Sequence, residues 1–110
     1  MADDVAAKHV SRQLVRAATG AGANYEEARG AESRADFVHK LGIANKELRE
    51  ALYWLQLSRE ASLAMNDELD LLVREAHELV AILTASINTT RRGIAIVNGE
   101  QEPRTRTSRS

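Results

Sequence analysis

A single apolar stripe in the middle of the sequence constrains the fold most strongly. Within residues 33–57 its positions follow one another at spacings that alternate between three and four residues. This is the period of a helix that buries one face against other helices, whereas a strand would show a spacing of two. We therefore predict a long helix from Ser33 to about Glu60, with a seam that consists of Val38, Leu41, Asn45, Leu48, Leu52 and Leu55.

The same spacing predicts one helix on each side of this stripe. The first covers residues 4–29, and the third runs from Asn66 or Asp67 to Arg92, where Gly93 is the expected C-terminal cap. Residues 94–97 are apolar but too few for a helix of their own. The seam of the first helix is Ala7, Val10, Leu14, Ala17, Ala21, Asn24 and Ala28; that of the third is Leu69, Leu72, Ala76, Leu79 and Leu83, widened by Val73, Val80 and Ile87.

Local signals between the first two helices predict how they are joined. Gly30 stands where a helix ends, and Ser33 with Asp36 three residues later resembles a capping box. A connection this short makes the two helices antiparallel neighbours. The predicted fold is all-α, an antiparallel up-and-down helix bundle over residues 4–93, followed by a polar tail over residues 94–110 that we expect to be disordered.

Two glycines lie inside the first predicted helix. Gly20 and Gly22 each cost about 1 kcal/mol relative to Ala in a helix interior. One interpretation is a small-residue face that another backbone can approach closely. The other is a kink or break at this point, and the glycines alone do not decide between them.

Composition and charge exclude several classes of protein. The chain has no cysteine, so disulfide frameworks and thiolate metal sites are excluded. No run of apolar residues is long enough to span a membrane, and the N-terminus carries two acids where a signal peptide would be basic, so we expect a cytoplasmic protein. The net charge of -1 combines -4 over residues 1–88 with +3 over residues 89–110.

Asn24 and Asn45 fall on the seams of the first two helices, and Glu27 and Glu47 lie close to them in sequence. We expect both asparagines to be buried and hydrogen-bonded in the interhelical seam, and a polar network of the four residues would fix register and partner choice. The two glutamates lack a nucleophile or a metal-ligand set beside them. The three histidines fall on three different predicted helices without metal-ligand spacing. We therefore expect no enzyme activity, cofactor, metal ion or small-molecule substrate.

Two groups of residues are candidates for intermolecular contacts. We expect the chain to form a homo-oligomer, because three helices do not offer enough neighbours for its apolar faces. The candidate oligomer contacts are Tyr53, Trp54, Val73, Val80 and Ile87. The candidate nucleic-acid contacts are Arg91, Arg92, Arg104, Arg106 and Arg109. The alternative for these arginines is that the first two cap a helix and the last three solubilise a tail.

Polar and apolar residues between positions 12 and 57 also form a motif, in which residue types and spacings are more specific than hydrophobic spacing alone. They are Gln13, Leu14, Arg16, Ala23, Asn24, Glu27, Ala28, Phe37, Lys40, Lys46, Glu47, Glu50, Tyr53, Trp54 and Leu55. In these residues the sequence closely resembles the bacterial four-helix bundle proteins known as 23S ribosomal RNA intervening-sequence proteins.

The resemblance implies an up-and-down bundle, no known catalysis and ring-like homo-oligomers, which are pentamers in relatives. Family members carry a further long helix before the segment that begins at Gln13, so that first helix is short or missing here. Either the sequence begins late, or this member lacks the helix and covers the exposed groove in another way. The family name implies an association with ribosomal or other structured RNA. Two hypotheses stay open: a self-assembling bundle that associates with RNA, and a protein–protein interaction scaffold without nucleic-acid binding.

Overall fold

Three α-helices make up the described part of the chain. A computed structural model of the protein describes residues 5–61 and 67–99. Within these ranges the order is α1 (Val5–Arg29), α2 (Arg34–Glu60) and α3 (Asp67–Val97), with no strand. The prediction of an all-α helical bundle is confirmed.

The start of α2 has the predicted capping geometry. Ser33 has extended backbone angles, and its Oγ accepts a hydrogen bond from the Asp36 backbone N–H at 3.0 Å. The Asp36 carboxylate accepts one from the Glu32 N–H at 3.3 Å and contacts Lys40 Nζ at 3.2 Å. Two contacts lower the pKa of Asp36: chiefly the hydrogen bond from the Glu32 N–H, and then the contact with Lys40. The Asp36 carboxylate in turn raises the pKa of Lys40. This cap stops the chain between α1 and α2 from continuing as one helix.

The predicted end of the third helix is wrong. α3 continues through Gly93 to Val97, and the chain turns at Gly99, whose φ is +80°. Gly93 is half-buried, and a Cβ built on it would lie 3.5 Å from Nη1 of Arg34. Gly93 therefore lies inside the helix, in ordinary contact distance of a side chain of α2, and does not end it. Residues 94–97 of the predicted tail are helical, and residues 100–110 lie outside the described residues.

Two apolar clusters show that α2 forms the centre of the fold. Both combine residues of α2 with residues of α3, and each also includes a side chain of α1. The predicted seams of α1 and α2 are confirmed, since all their members are buried or half-buried. The first cluster contains Leu52, Leu55, Leu69, Val73 and Ala76 with Leu14 packed against it, and the second contains Ala28, Leu41 and Ile87 with Phe37, Val38 and Leu83.

The predicted seam of α3 is partly wrong. Leu72 and Leu79 were expected in the core, but they are 49% and 48% exposed. The residues that α3 buries are Leu69, Val73, Ala76 and Ile87. Because α2 is the only described helix that packs along α3, it covers one part of a wide apolar stripe and leaves the rest uncovered.

The three helices do not close into a three-sided bundle. α2 packs against both α1 and α3, whereas no Cα pair between α1 and α3 lies within 8 Å in the described residues. The principal-axis extents are 61 × 30 × 17 Å, so the helices form an open layer that is wider than it is thick. A groove therefore runs between α1 and α3.

We predict that Ser33→Ala lowers the free energy of unfolding by about 1 kcal/mol, because the Asp36 N–H loses its capping partner. Urea denaturation measures this change. Ser11→Ala, at an exposed position inside α1, is the matched control and should leave stability unchanged or slightly raise it. Equal losses in the two variants would contradict the capping role.

Candidate functional site

The polar contacts between α1 and α2 centre on Arg16. Its guanidinium donates to Glu50 Oε2 at 2.8 Å and lies 4.0 Å from Glu47 Oε1. Glu47 Oε1 is buried without a hydrogen-bond partner among the described residues, and its side chain rests against Gly20. A Cβ on Gly20 would lie 3.3 Å from Cδ of Glu47. Gly20 thus permits the Glu47 side chain of α2 to approach α1 closely, whereas the sequence had suggested the close approach of another backbone.

The alternative that α1 breaks at its glycines is wrong. The helix is continuous from Val5 to Arg29. Gly22 differs from Gly20, because a Cβ built on it would meet nothing within 4 Å. The two glycines therefore face different surroundings.

The four candidates for a buried polar network do not form one network. Asn24 donates to the backbone O of Gly20 in its own helix at 2.9 Å, and the exposed Glu27 lies 3.6 Å from Lys40 Nζ. Glu47 contacts Arg16. Asn45 is 6% exposed and makes an interhelical hydrogen bond. The partner lies on α3 and not on α1, since Asn45 Nδ2 donates to Thr84 Oγ1 at 3.1 Å.

Asn24 and Asn45 thus have different roles. The prediction that Asn45 is buried and bonded across the seam is confirmed, whereas the same prediction for Asn24 is wrong. Asn24 is half-buried on α1, and a carbonyl one turn back in the same helix already satisfies its amide. Asn45 joins α2 to α3, while Arg16, Glu47 and Glu50 join α1 to α2.

The candidate oligomer contacts divide between core and surface. Tyr53 is 55% exposed. Trp54 is half-buried, with its ring edge-on to His9 at 5.8 Å and to Tyr53 at 4.9 Å. Val73 and Ile87 lie in the core of the chain itself, which corrects their placement on a contact surface, and Val80 is half-buried.

The groove between α1 and α3 is lined by the two faces for which the sequence predicted too few neighbours, the small-residue face of α1 and part of the apolar stripe of α3. It has a volume of about 370 Å³, and no charged residue lines it. Ile82 on its rim is 60% exposed. Val15 and Leu72 are also exposed and lie nearer the N-terminal ends of the same two helices. The lining residues are Ala18, Ala21, Gly22, Tyr25, Leu48, Leu79, Ile82 and Leu83.

A second cleft, of about 580 Å³, lies where the α1–α2 turn meets the last turns of α3. Arg29 and Arg34 line it together with the hydroxyl-bearing Thr89 and Thr90. Arg29 is paired with Glu26 at 3.1 Å, and Arg34 is exposed. Sequence reasoning missed Arg34, although the antiparallel order of helices predicts that the start of α2 lies near the end of α3.

The predicted arginine contacts do not line this cleft where the structure describes them. Arg91 and Arg92 are exposed on α3 in the turns that lead to Gly93. Arg104, Arg106 and Arg109 lie outside the described residues.

The described residues show no arrangement typical of a catalytic or metal site. In residues 5–61 and 67–99, no group of three or more His, Asp or Glu side chains is placed to hold a metal ion. His77 contacts Gln56 at 3.1 Å, and His39 is exposed. None of the helices in these ranges is long and apolar enough to cross a membrane.

Comparison with known proteins places the chain in a family. The model of the 23S rRNA-intervening sequence protein family matches residues 4–85, and the chain belongs to this family. A crystal structure of a protein of unknown function from the S23 ribosomal protein family of Bacteroides thetaiotaomicron is similar, with 37% identity and a TM-score of 0.66. The similarity covers 71% of this chain and 72% of that chain. Among curated proteins, none matches the sequence significantly.

We predict that Asn45→Ala lowers the free energy of unfolding by about 1–3 kcal/mol, because it removes the bond to Thr84 inside the core. Asn24→Ala should leave stability unchanged or raise it slightly, because alanine favours a helix and the lost bond is local. Chemical denaturation of the two variants measures the difference. A similar loss in both would indicate that Asn24 also supports the seam.

Proposed function

We propose that this chain is a non-enzymatic, self-assembling helical bundle. The observation that carries the proposal is the uncovered apolar groove between α1 and α3, with Leu79 and Ile82 48% and 60% exposed on one wall. Soluble monomers rarely expose contiguous apolar patches beyond a few hundred Å². Three helices of this length have the apolar faces of a larger bundle, and a second chain can cover what α2 does not.

The free energy available from such burial is comparable to the cost of association. Removing about 400 Å² of apolar surface from water is worth on the order of 10 kcal/mol, which is similar to the cost of lost translational and rotational freedom. Additional contacts, for which the exposed Tyr53 is a candidate, would then decide the affinity. Family resemblance favours a cyclic ring, with five subunits as the expected number.

Association with structured RNA is a second candidate. The cleft with Arg29, Arg34, Thr89 and Thr90 supports it, because guanidinium and hydroxyl groups donate hydrogen bonds to phosphate oxygens. The family description refers to 23S rRNA. The net charge is -4 over residues 1–88 and +3 over residues 89–110, so the excess of basic residues lies toward the C-terminal end of the sequence.

We predict that light scattering coupled to size exclusion at micromolar concentration gives a multiple of the 12.1 kDa chain mass. Five subunits are the expected number. The physical reason is the apolar groove, which a second copy removes from water. A monodisperse species of 12.1 kDa would contradict the proposed function.

For the RNA candidate, we predict that the double variant Arg29→Ala/Arg34→Ala, which removes both arginines that line the cleft, lowers affinity for a structured RNA at low salt by about tenfold, or roughly 1.4 kcal/mol. Filter binding at two salt concentrations measures this. Lys46→Ala/Arg49→Ala removes the same charge from an exposed part of α2 and is the matched control. Equal affinity of both variants would exclude the cleft as the RNA site, and a loss only on deletion of residues 100–110 would assign binding to the tail.

A further inference from the structure

We propose that the cleft where the α1–α2 turn meets the last turns of α3 binds one unpaired nucleotide of an RNA strand, with its phosphate at Arg34 and its base on the apolar part of the cleft. The inference rests on the RNA association proposed above and names the part of an RNA that this cleft accepts. The cleft volume of about 580 Å³ lies within the range of about 300–1,000 Å³ that is usual for small-ligand sites.

Apolar side chains form one part of the cleft. Ala28, which is 2% exposed, and the half-buried Phe37 both belong to the second apolar cluster, and both line the cleft. Ala31 and Gly93, which have little or no side chain, line it as well. An apolar surface that includes an aromatic ring suits the face of a nucleobase, because proteins that read single-stranded RNA stack its bases on aromatic side chains. The same surface offers nothing to a bare phosphate.

Arg34 supplies the positive charge for the phosphate. Its guanidinium reaches from the start of α2 to α3, where Nη1 lies 3.5 Å from the position that a Cβ of Gly93 would take. Arg29 is already paired with Glu26 at 3.1 Å, whereas Arg34 has no carboxylate partner among the described residues. An arginine without an acidic partner keeps its N–H donors for a phosphate, to which guanidinium groups make charge-assisted and often bidentate hydrogen bonds.

Two other groups in the cleft accept hydrogen bonds and suit a base better than a phosphate. The Glu32 carboxylate is an acceptor only, and its side chain has no partner within the described ranges. The Thr90 hydroxyl donates to the Ser86 carbonyl oxygen at 2.9 Å, so its lone pairs remain for an N–H group of a ligand. A carboxylate repels a bare phosphate, but it accepts hydrogen bonds from the N–H groups that bases carry.

An unpaired nucleotide uses these groups, and a base-paired one does not. In a duplex the faces of a base are stacked on its neighbours and its Watson–Crick edge is paired, whereas an extruded base exposes both. Arg34 also lines a neighbouring cleft of about 490 Å³, together with Ala35, Ile94, Val97 and Asn98. The adjoining part of the strand therefore has space on the other side of the guanidinium.

Nuclear magnetic resonance titration of the full-length protein tests the site with adenosine 5′-monophosphate, adenosine and inorganic phosphate. The backbone amide signals of residues 29–34 and 89–93 report on the cleft. We expect the nucleotide to bind at least about tenfold more tightly than adenosine or phosphate, because it alone has both a base and a phosphate. Arg34→Ala should weaken nucleotide binding about tenfold. The matched control, Arg49→Ala, removes an exposed arginine of α2 outside the cleft and should leave binding unchanged.

Two further comparisons separate the base from the phosphate and RNA from a free nucleotide. Phe37→Leu should weaken binding of the nucleotide and leave that of phosphate unchanged. Because Phe37 packs in the core, thermal unfolding checks that this variant is folded, and the three probes on the parent chain decide the question if it is not. In filter binding, an RNA hairpin with one bulged nucleotide should bind more tightly than the same hairpin fully paired, and adenosine 5′-monophosphate should compete with it.

Equal affinity for nucleotide and phosphate overturns the nucleotide site and leaves phosphate contact with RNA standing. Absence of amide shifts in the cleft also overturns the site, and RNA binding that persists in filter assays then lies elsewhere on the chain. Nucleotide binding in the cleft without any RNA binding overturns RNA as the source of the nucleotide, together with the RNA candidate function, and assigns the cleft to a free nucleotide.

Discussion

The contacts that α2 makes on two sides hold the whole described structure together. α1 and α3 do not approach each other within 8 Å between Cα atoms in the described residues, so each is held to the other through α2. Leu41 and Ala44 of α2 are 1% and 0% exposed, the values expected for a central helix with neighbours on both sides. The position of α3 relative to α1 therefore depends on how α2 packs with each of them.

Polar contacts on α2 give each interface a distinct character. Toward α3, Asn45 donates to Thr84 inside an otherwise apolar seam, and a single buried polar pair of this kind can fix the register of two helices. Toward α1, Arg16 contacts two glutamates of α2, and one of them lies against a glycine. Because the two sides differ, α1 and α3 are not interchangeable neighbours of α2.

Much of this fold follows from local sequence signals. The seams of α1 and α2 and the cap at Ser33 were predictable, because each depends on residues within one or two turns. The rotation of α3 about its own axis was not predictable. Its apolar stripe is wide enough to bury either Leu72 or Val73, and which of them is buried depends on the neighbouring helices.

Gly93 was misinterpreted for a similar reason. A glycine ends a helix in isolation, but here α3 continues and the side chain of Arg34 lies over it. The two faces that line the groove were predictable, whereas the exposure of Ile82 beside it was not, because it follows from the rotation of α3.

An open layer of three helices that is completed by another copy should be more stable when more copies are present. Unfolding then includes dissociation, so stability depends on protomer concentration by mass action. The most direct measurement is the thermal unfolding midpoint over a wide range of protein concentration. We predict that the midpoint rises with concentration, and that Ile82→Glu abolishes this rise. A midpoint that is independent of concentration in the parent chain would contradict self-assembly through the groove, because the three helices would then be stable with their groove uncovered.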